Sequence, residues 1–257
     1  MIKKQTQEYK CWEKVYKPKG KRNKMKVELV QRPKSPTILE GFPGFGLVGT
    51  IATEFLIKHL KAKQIGKIMS RHLMPIAAIH EESVVDPLGI FYDKKYNLVI
   101  LHALSSLKSL EWDIAEATTK LCKELKAKEI ISLEGISSQT GELKTYYFTR
   151  DPKRKKSFEK IGLEPLKEGI VMGVTGALLL KNKNTSCIFV ESKVGIADSL
   201  AAAKVVEILD KYLNLKVDYQ PLIKAAEKFE RALRQTMEKA NEMQPPQEKM
   251  IKPDYLG

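Results

Sequence analysis

The sequence predicts an α/β protein with a largely parallel central sheet flanked by helices, followed by a C-terminal helical extension and a flexible tail. Three observations lead to this class. A short apolar run at 37–40 continues through closely spaced glycines into an amphipathic helix, which is the pattern of a βα unit. A second strand-helix-strand alternation spans 97–133. Past residue 213 the pattern changes to one long amphipathic helix and a proline-broken tail.

The first elements are strands at 25–30, 37–40 and 64–69, with a helix between the last two. On that helix the apolar residues recur at the spacing of one helical face, namely Leu47, Val48, Ile51, Ala52, Phe55, Leu56 and Leu60. Next, the runs 73–79 and 89–92 flank a polar tip and are expected to pair with each other. His80, Glu81 and Asp86 are candidate metal ligands, but a solvated loop tip is the favoured interpretation because no second cluster supplies further ligands.

The second alternation consists of a strand at 96–101, a helix from Leu110 to Leu125 with Ser109 as N-cap, and a strand at 129–133. Polar residues follow both strands at the carboxyl edge of the sheet, where α/β proteins bind ligands. They are His102, Ser105, Ser106, Glu134, Ser137 and Ser138. A Ser-His hydrolase is the enzyme that these residues suggest, but no nucleophile-elbow motif is present, and serines after strands commonly cap turns.

The rest of the domain is predicted as a strand at 144–149, a helix from Pro152, a short helix at 174–181 and a strand at 186–191. A final helix at 199–213 takes Asp198 as its N-cap. The basic run 153–156 is expected to form a solvated helix face. The predicted helix at 221–243 has an apolar stripe that suits self-association.

The spacing Gly44-x-Gly46-x-x-Gly49 also matches a dinucleotide-binding turn. That motif needs an acidic residue about twenty positions further on, and 64–74 contains none; a phosphate-binding loop would need a lysine after Gly49. A compact structural turn is therefore the favoured interpretation. The alternative is a nucleotide- or nucleoside-binding enzyme that uses the Gly44–Gly49 turn.

Composition excludes several classes of protein. The net charge is +14, of which +8 falls within residues 1–26. Aromatic residues interleave with lysines in 1–24, a pattern that suits single-stranded nucleic-acid binding. The alternatives are a disordered basic arm and a translation start at Met25. The arm is favoured, and nucleic acid is not an expected partner. Three scattered cysteines indicate neither a disulfide framework nor a zinc site, and no apolar run is long enough to span a membrane.

The segment EGFPGFGLVGTIATEFLIKHL, which carries Gly41, Phe42, Pro43, Gly44, Gly46 and Gly49, resembles the signature of the PAC2 family of proteasome-assembly-chaperone-like proteins. Three later segments fit the same family in the same order: LEGI from Leu133, GVTGALL from Gly173, and GIADSLAAA from Gly195. The resemblance spans about 36–213. It implies a PAC2-like α/β domain at 25–215, flanked by the basic arm 1–24, the helix 216–243 and the flexible tail 244–257.

The resemblance also implies a function. A PAC2-type protein is expected to be a non-enzymatic, cytoplasmic homo-oligomer that binds the α-subunits of the 20S proteasome core particle, as an assembly chaperone or an ATP-independent activator. It needs no cofactor, no metal and no catalytic residues. Its C-terminal residues Tyr255, Leu256 and Gly257 are expected to dock on the α-ring, although Tyr255 is third from the end whereas the best-known activator tail has tyrosine second from the end.

Overall fold

The computed structural model describes residues 25–73, 75–76, 78–80, 83–104, 107–137, 143–192 and 197–224. The predicted basic arm, the flexible tail and most of the predicted helix at 221–243 lie outside these residues. Within the described part, 220–224 are helical.

Eleven strands are found among the described residues. They are β1 (Lys26–Leu29), β2 (Thr37–Gly41), β3 (Lys63–Met69), β4 (Ala78–His80), β5 (Ser83–Val85), β6 (Leu88–Asp93), β7 (Leu98–Ala103), β8 (Glu129–Ser137), β9 (Thr145–Phe148), β10 (Glu164–Pro165) and β11 (Thr185–Ser192). The described α-helices are α1 (Val48–Leu60), α2 (Glu111–Glu124), α3 (Pro152–Lys160), α4 (Gly173–Lys181) and α5 (Ser199–Leu213). A 3₁₀ turn, Phe45–Leu47, precedes α1.

The main sheet contains nine of the strands in the order β1-β3-β6-β7-β2-β8-β11-β9-β10. Its four central strands, β7-β2-β8-β11, are parallel to one another. The strands outside them join by antiparallel pairing, and only the short edge strand β10 pairs in parallel with its neighbour. The α/β class is thus confirmed, with a parallel centre inside a mixed sheet.

Helices cover both faces of the sheet because successive strand residues point to opposite sides. In β2, Leu39 packs with α1 and α5, whereas Ile38 packs with α2 and α4. The central strands are buried on both faces, which explains their nearly continuous apolar sequences.

Of the two predicted N-caps, Asp198 is confirmed and Ser109 is not, and α3 has an aspartate cap of its own. Asp151 caps α3 by accepting from the amides of Lys153 and Arg154, and Asp198 caps α5 by accepting from Ala201 N. The prediction that Ser109 caps α2 is wrong. The cap position is Leu110, and Ser109 adopts a positive φ of 70° while its amide donates to the Glu111 side chain. Helix α2 instead begins with Glu111 and Asp113, whose charges suit a helix N-terminus.

The pairing expected between 73–79 and 89–92 is also wrong. The strand residues 78–80 pair with 83–85 in a separate two-stranded hairpin. The segment 89–92 belongs to β6, which lies between β3 and β7 in the main sheet. Its residues are mostly buried, so a central position in the main sheet removes more apolar surface from water than a hairpin would.

Phe158 of α3 links three elements on the α1/α5 face. It is fully buried and stacks between Tyr147 of β9 and Tyr212 of α5, with ring centroids 5.2 Å and 4.5 Å away. These stacked rings attach the short helix α3 to the sheet.

We predict that Phe158→Ala lowers the free energy of unfolding by about 3–5 kcal/mol, because it removes a buried ring and leaves a cavity. Chemical denaturation measures this loss. Phe148→Ala is the matched control, since it removes the same atoms from a partly exposed position of β9. An equal loss in both variants would contradict the role assigned to Phe158.

Candidate functional site

The candidate site is the carboxyl edge of the central strands, where the glycine turn connects β2 to α1. The turn contains two consecutive residues with positive φ, Gly46 at 63° and Leu47 at 52°. This left-handed conformation is easy for glycine and unusual for leucine. Phe42 is buried in the core on the α2/α4 face, while Pro43 is partly exposed and Gly44 and Leu47 are exposed.

Glycines are required in this turn because other parts of the chain fill the space of a side chain. A Cβ atom at Gly49 would lie 2.5 Å from the carbonyl oxygen of Leu133, and one at Gly41 would collide with Gly49. A Cβ at Gly44 would collide with the Glu134 carboxyl, and one at Gly46 with the Ser192 hydroxyl. The motif glycines therefore bring the turn and α1 into direct contact with β8 and β11.

Two amides of the turn are bound by the protein's own carboxyl groups. Phe42 N donates to Glu40 Oε1 and Phe45 N donates to Glu134 Oε1, each at 3.2 Å. In a dinucleotide-binding turn, amides near the helix start are offered to a phosphate. Here a ligand phosphate would have to displace Glu134.

A polar cluster connects these carboxyls beneath the turn. Ser132 donates to Glu40 Oε2, Ser132 Oγ lies 2.8 Å from Thr175 Oγ1, and Thr175 Oγ1 lies 3.0 Å from Glu134 Oε2. Glu40, Ser132 and Thr175 are almost completely buried. We call Glu40, Ser132, Thr175 and Glu134 the carboxyl cluster.

Both acids of the carboxyl cluster hold protons more tightly than usual. Burial, with a smaller contribution from the charge of Glu134, raises the pKa of Glu40 to about 8. Burial also raises the pKa of Glu134 to about 7, against hydrogen bonds from Thr175 and the amides of Phe45 and Gly135 that lower it. Perturbed acids in a polar cluster are frequent at functional sites and also in structural networks.

His102, the residue that suggested a hydrolase, lies at the end of β7 with Nδ1 3.0 Å from Thr53 Oγ1. Thr53 also lies 2.9 Å from the Gly49 carbonyl, to which its hydroxyl donates. Burial lowers the pKa of His102, so the ring is neutral and serves as a packing partner of α1. Ser137 is exposed, and Ser105, Ser106 and Ser138 lie outside the described residues.

Of the three residues considered as metal ligands, the structure describes the side chain of Asp86 alone. Asp86 binds Lys67 Nζ at 3.2 Å and Gln64 Nε2 at 2.8 Å, and Glu81 is not among the described residues. No group of three ligating side chains that suits a metal occurs in the described ranges. Nor does any helix there combine the length and hydropathy that a membrane crossing requires.

A second concave region lies at the opposite, amino edge of the sheet. This cleft of about 370 Å³ is lined by Arg150, Asp151, Arg154, Lys183 and Asn184. The expectation that 153–156 is only a solvated face is wrong for Arg154. Its side chain is mostly buried, pairs with Glu129 at 3.2 Å and donates to Asn184 Oδ1. Arg154 thus ties α3 to β8.

Exposed apolar side chains lie on and before α4. Ile170, Met172 and Leu180 are 91%, 78% and 72% exposed, and Trp112 of α2 is 45% exposed. Met172 is the N-cap residue of α4, and Leu180 lies in the last turn of this helix. We call Ile170, Met172 and Leu180 the α4 face. Exposed apolar surface of this kind is typical of protein-protein contacts.

Nothing in the sequence marks Glu40, Ser132 and Thr175 as parts of one site. Glu40 and Thr175 are visible in the sequence only as isolated polar residues within the apolar runs TILEG and GVTGALLL. Their partners lie 92 and 43 positions apart in the chain. The sheet register places Glu40 beside Ser132, and the packing of helix α4 on the sheet adds Thr175.

Comparison with known proteins identifies relatives across most of the chain. PbaA of Pyrococcus furiosus, described as an archaeal homolog of proteasome-assembly chaperone, superposes with a TM-score of 0.76 at 32% identity, over 84% of this chain and 93% of PbaA. PbaB of the same organism, described as an archaeal proteasome activator, superposes with a TM-score of 0.70 at 25% identity, over 83% of this chain and 99% of PbaB.

A protein of Methanocaldococcus jannaschii is 28% identical over 219 residues, which cover 84% of this chain and 89% of that protein. The model of the PAC2 family matches residues 38–237. That range contains the glycine turn, the carboxyl cluster and all five described α-helices. The chain belongs to the PAC2 family.

Proposed function

We propose that this protein is a non-enzymatic, cytoplasmic homo-oligomer that binds the proteasome core particle, as an assembly chaperone or an activator, by docking its C-terminal tails on the α-subunits. The observation that carries the proposal is the similarity to PbaA and PbaB, which extends over more than nine tenths of both proteins. One is described as a homolog of a proteasome-assembly chaperone and the other as a proteasome activator.

The packing around the glycine turn favours a protein-binding role over cofactor chemistry. Its glycines lie against backbone and side chains of β8 and β11, and the amide of Phe45 is bound to Glu134. A phosphate would meet a carboxyl group at this position and would have to break that hydrogen bond. The alternative, a nucleotide-binding enzyme, therefore requires a rearranged turn.

The α4 face supports self-association. Three large apolar side chains there are at least 72% exposed. Burying such side chains between copies contributes about 1.5–3 kcal/mol each relative to leaving them in water. We propose that the α4 face contacts another copy of the chain.

The tail supplies the proposed contact with the α-ring. Its last three residues, Tyr255, Leu256 and Gly257, combine an aromatic ring, an apolar side chain and the terminal carboxylate. Such ends are captured in pockets that accept the carboxylate. Several tails on one oligomer raise the effective concentration, so each can bind weakly while the assembly binds tightly.

We predict that deleting 245–257 abolishes capture by α-rings in a pull-down and leaves the circular-dichroism spectrum unchanged, because the tail follows the folded domain in the chain. Tyr255→Ala in the full-length chain is expected to weaken binding by roughly ten- to a hundredfold, since a buried aromatic side chain is worth about 1.5–3 kcal/mol. Gln247→Ala, which keeps the tail length and its last residues, is the control and retains binding. Capture that survives the deletion would refute tail docking.

Self-association is tested separately. We predict that Met172→Lys together with Leu180→Lys lowers the oligomer mass measured by light scattering, because each charge would have to be desolvated in the contact. Val30→Lys is the matched control, as Val30 is 87% exposed but lies outside the α4 face. An unchanged mass in the double variant would place the contact elsewhere.

The nucleotide alternative predicts ligand-induced stabilisation. A ligand present at a hundred times its Kd would add about 2.7 kcal/mol to the free energy of unfolding. We expect no rise in the thermal midpoint with nucleotides or nicotinamide cofactors. A rise that disappears in Gly44→Ala, where the new side chain crowds the turn, would favour the enzyme over the docking protein.

A further inference from the structure

The carboxyl cluster forms a row of four side-chain oxygens that extends from β2 to the end of β8. The order is Glu40 Oε2, Ser132 Oγ, Thr175 Oγ1 and Glu134 Oε2, and each neighbouring pair is within hydrogen-bond distance. The outer oxygens of the two acids are occupied by amides of the glycine turn. The row therefore connects the turn to both β8 and α4.

Counting hydrogens shows what this row requires. Three contacts join the four oxygens, and each contact needs one hydrogen. Ser132 and Thr175 supply one each. If both acids were ionised, each hydroxyl would donate to its own carboxylate, and the 2.8 Å contact between Ser132 and Thr175 would contain no hydrogen.

We propose that Glu40 and Glu134 share one proton through the hydroxyls of Ser132 and Thr175, and that this proton locks the glycine turn onto β8 and α4. With the proton on Glu40, the donors run in order from Glu40 to Ser132, then to Thr175, and then to Glu134. With the proton on Glu134 the direction is reversed. In both forms every contact of the row has its hydrogen.

The surroundings contain little that would compensate a second negative charge. In the neighbouring strand β11, Cys187 lies beside Ser132 in the sheet register and is fully buried. Burial, and after it the charges of Glu40 and Glu134, raise the pKa of its thiol, with Arg150 acting in the opposite direction. On the other side of β2, His102 of β7 is engaged with Thr53 near α1. Helix α4 offers the row the neutral hydroxyl of Thr175.

The pH range of the lock follows from the two acids. In the unfolded chain a glutamate releases its proton near its ordinary pKa of 4.5, whereas the folded protein raises the pKa of Glu40 to about 8 and of Glu134 to about 7. The folded state thus binds more protons between these values, so its stability falls as the pH rises through this range. This proton-linked contribution to the free energy of unfolding is complete below about pH 4.5 and is lost above about pH 8. The row with one shared proton is the form present between about pH 7 and pH 8, because both acids are protonated below that range.

The test compares Glu40→Gln, Glu134→Gln and the double variant in the full-length chain. In either single variant, the amide donates as the protonated acid does and the remaining acid is the acceptor at the other end, so all contacts keep their hydrogens. In the double variant both amides donate into the row, so four hydrogens are present for three contacts. One hydroxyl hydrogen then has no acceptor within the row. Glu164→Gln, on the exposed strand β10, is the matched control.

The readout is amide hydrogen exchange of Phe42 and Phe45, corrected for intrinsic exchange. In the wild type and in Glu164→Gln, protection is expected to fall by about tenfold per pH unit above pH 8, as loss of one proton requires. Both single variants are expected to keep their protection to higher pH, and the double variant is expected to be less protected than either. The same pH profile in single variants and wild type would overturn the proposal.

Carboxyl-carbon NMR of the wild type tests the shared proton without any variant. One proton held by the pair at neutral pH is expected to appear as a titration that extends well above pH 4.5. If both acids titrate near 4.5, the lock does not exist. This result does not depend on proteasome binding, so it separates the inference from the proposed function.

Discussion

The close contact of α1 with β8 is the constraint on which the carboxyl edge depends. It exists because Gly49 has no side chain, so that the helix backbone lies against the carbonyl of Leu133. Gly135 has the same role from the opposite side, since a Cβ there would collide with the carbonyl of Phe45. A methyl group at either position would push the turn outwards and separate the Phe45 amide from Glu134. The signature sequence is therefore explained by packing.

This contact has an energetic consequence for the acids beneath it. A turn that closes over the strand ends excludes water from Glu40, and burial of an ionised carboxylate is costly unless it is compensated. The chain supplies two amides and two hydroxyls and no basic side chain in hydrogen-bond contact among the described residues. Protonation of one acid is the remaining way to give every contact of the row a hydrogen. The raised pKa values of Glu40 and Glu134 result from the same cost of burying a negative charge.

The sequence was sufficient for features that are encoded locally. The strand before the glycines, helix α1 and the cap Asp198 all follow from neighbouring residues. The pairing of strands that are distant in the chain could not be predicted from neighbouring residues. The position of β6 between β3 and β7, and the meeting of Glu40 with Ser132, depend on sheet register over tens of residues. Ser109 failed as a cap because the helix begins one residue later than a capping serine requires.

Helix α4 connects the interior of the site to the surface that we assign to self-association. Thr175 on its buried side completes the row of oxygens, while Met172 at its N-cap and Leu180 in its last turn are exposed. A nine-residue helix moves largely as one body, because its backbone hydrogen bonds resist internal bending. Any change in the row that displaces the start of α4 therefore also displaces the α4 face. The proposed contact between copies and the protonation of Glu40 and Glu134 would in this way be coupled through one helix.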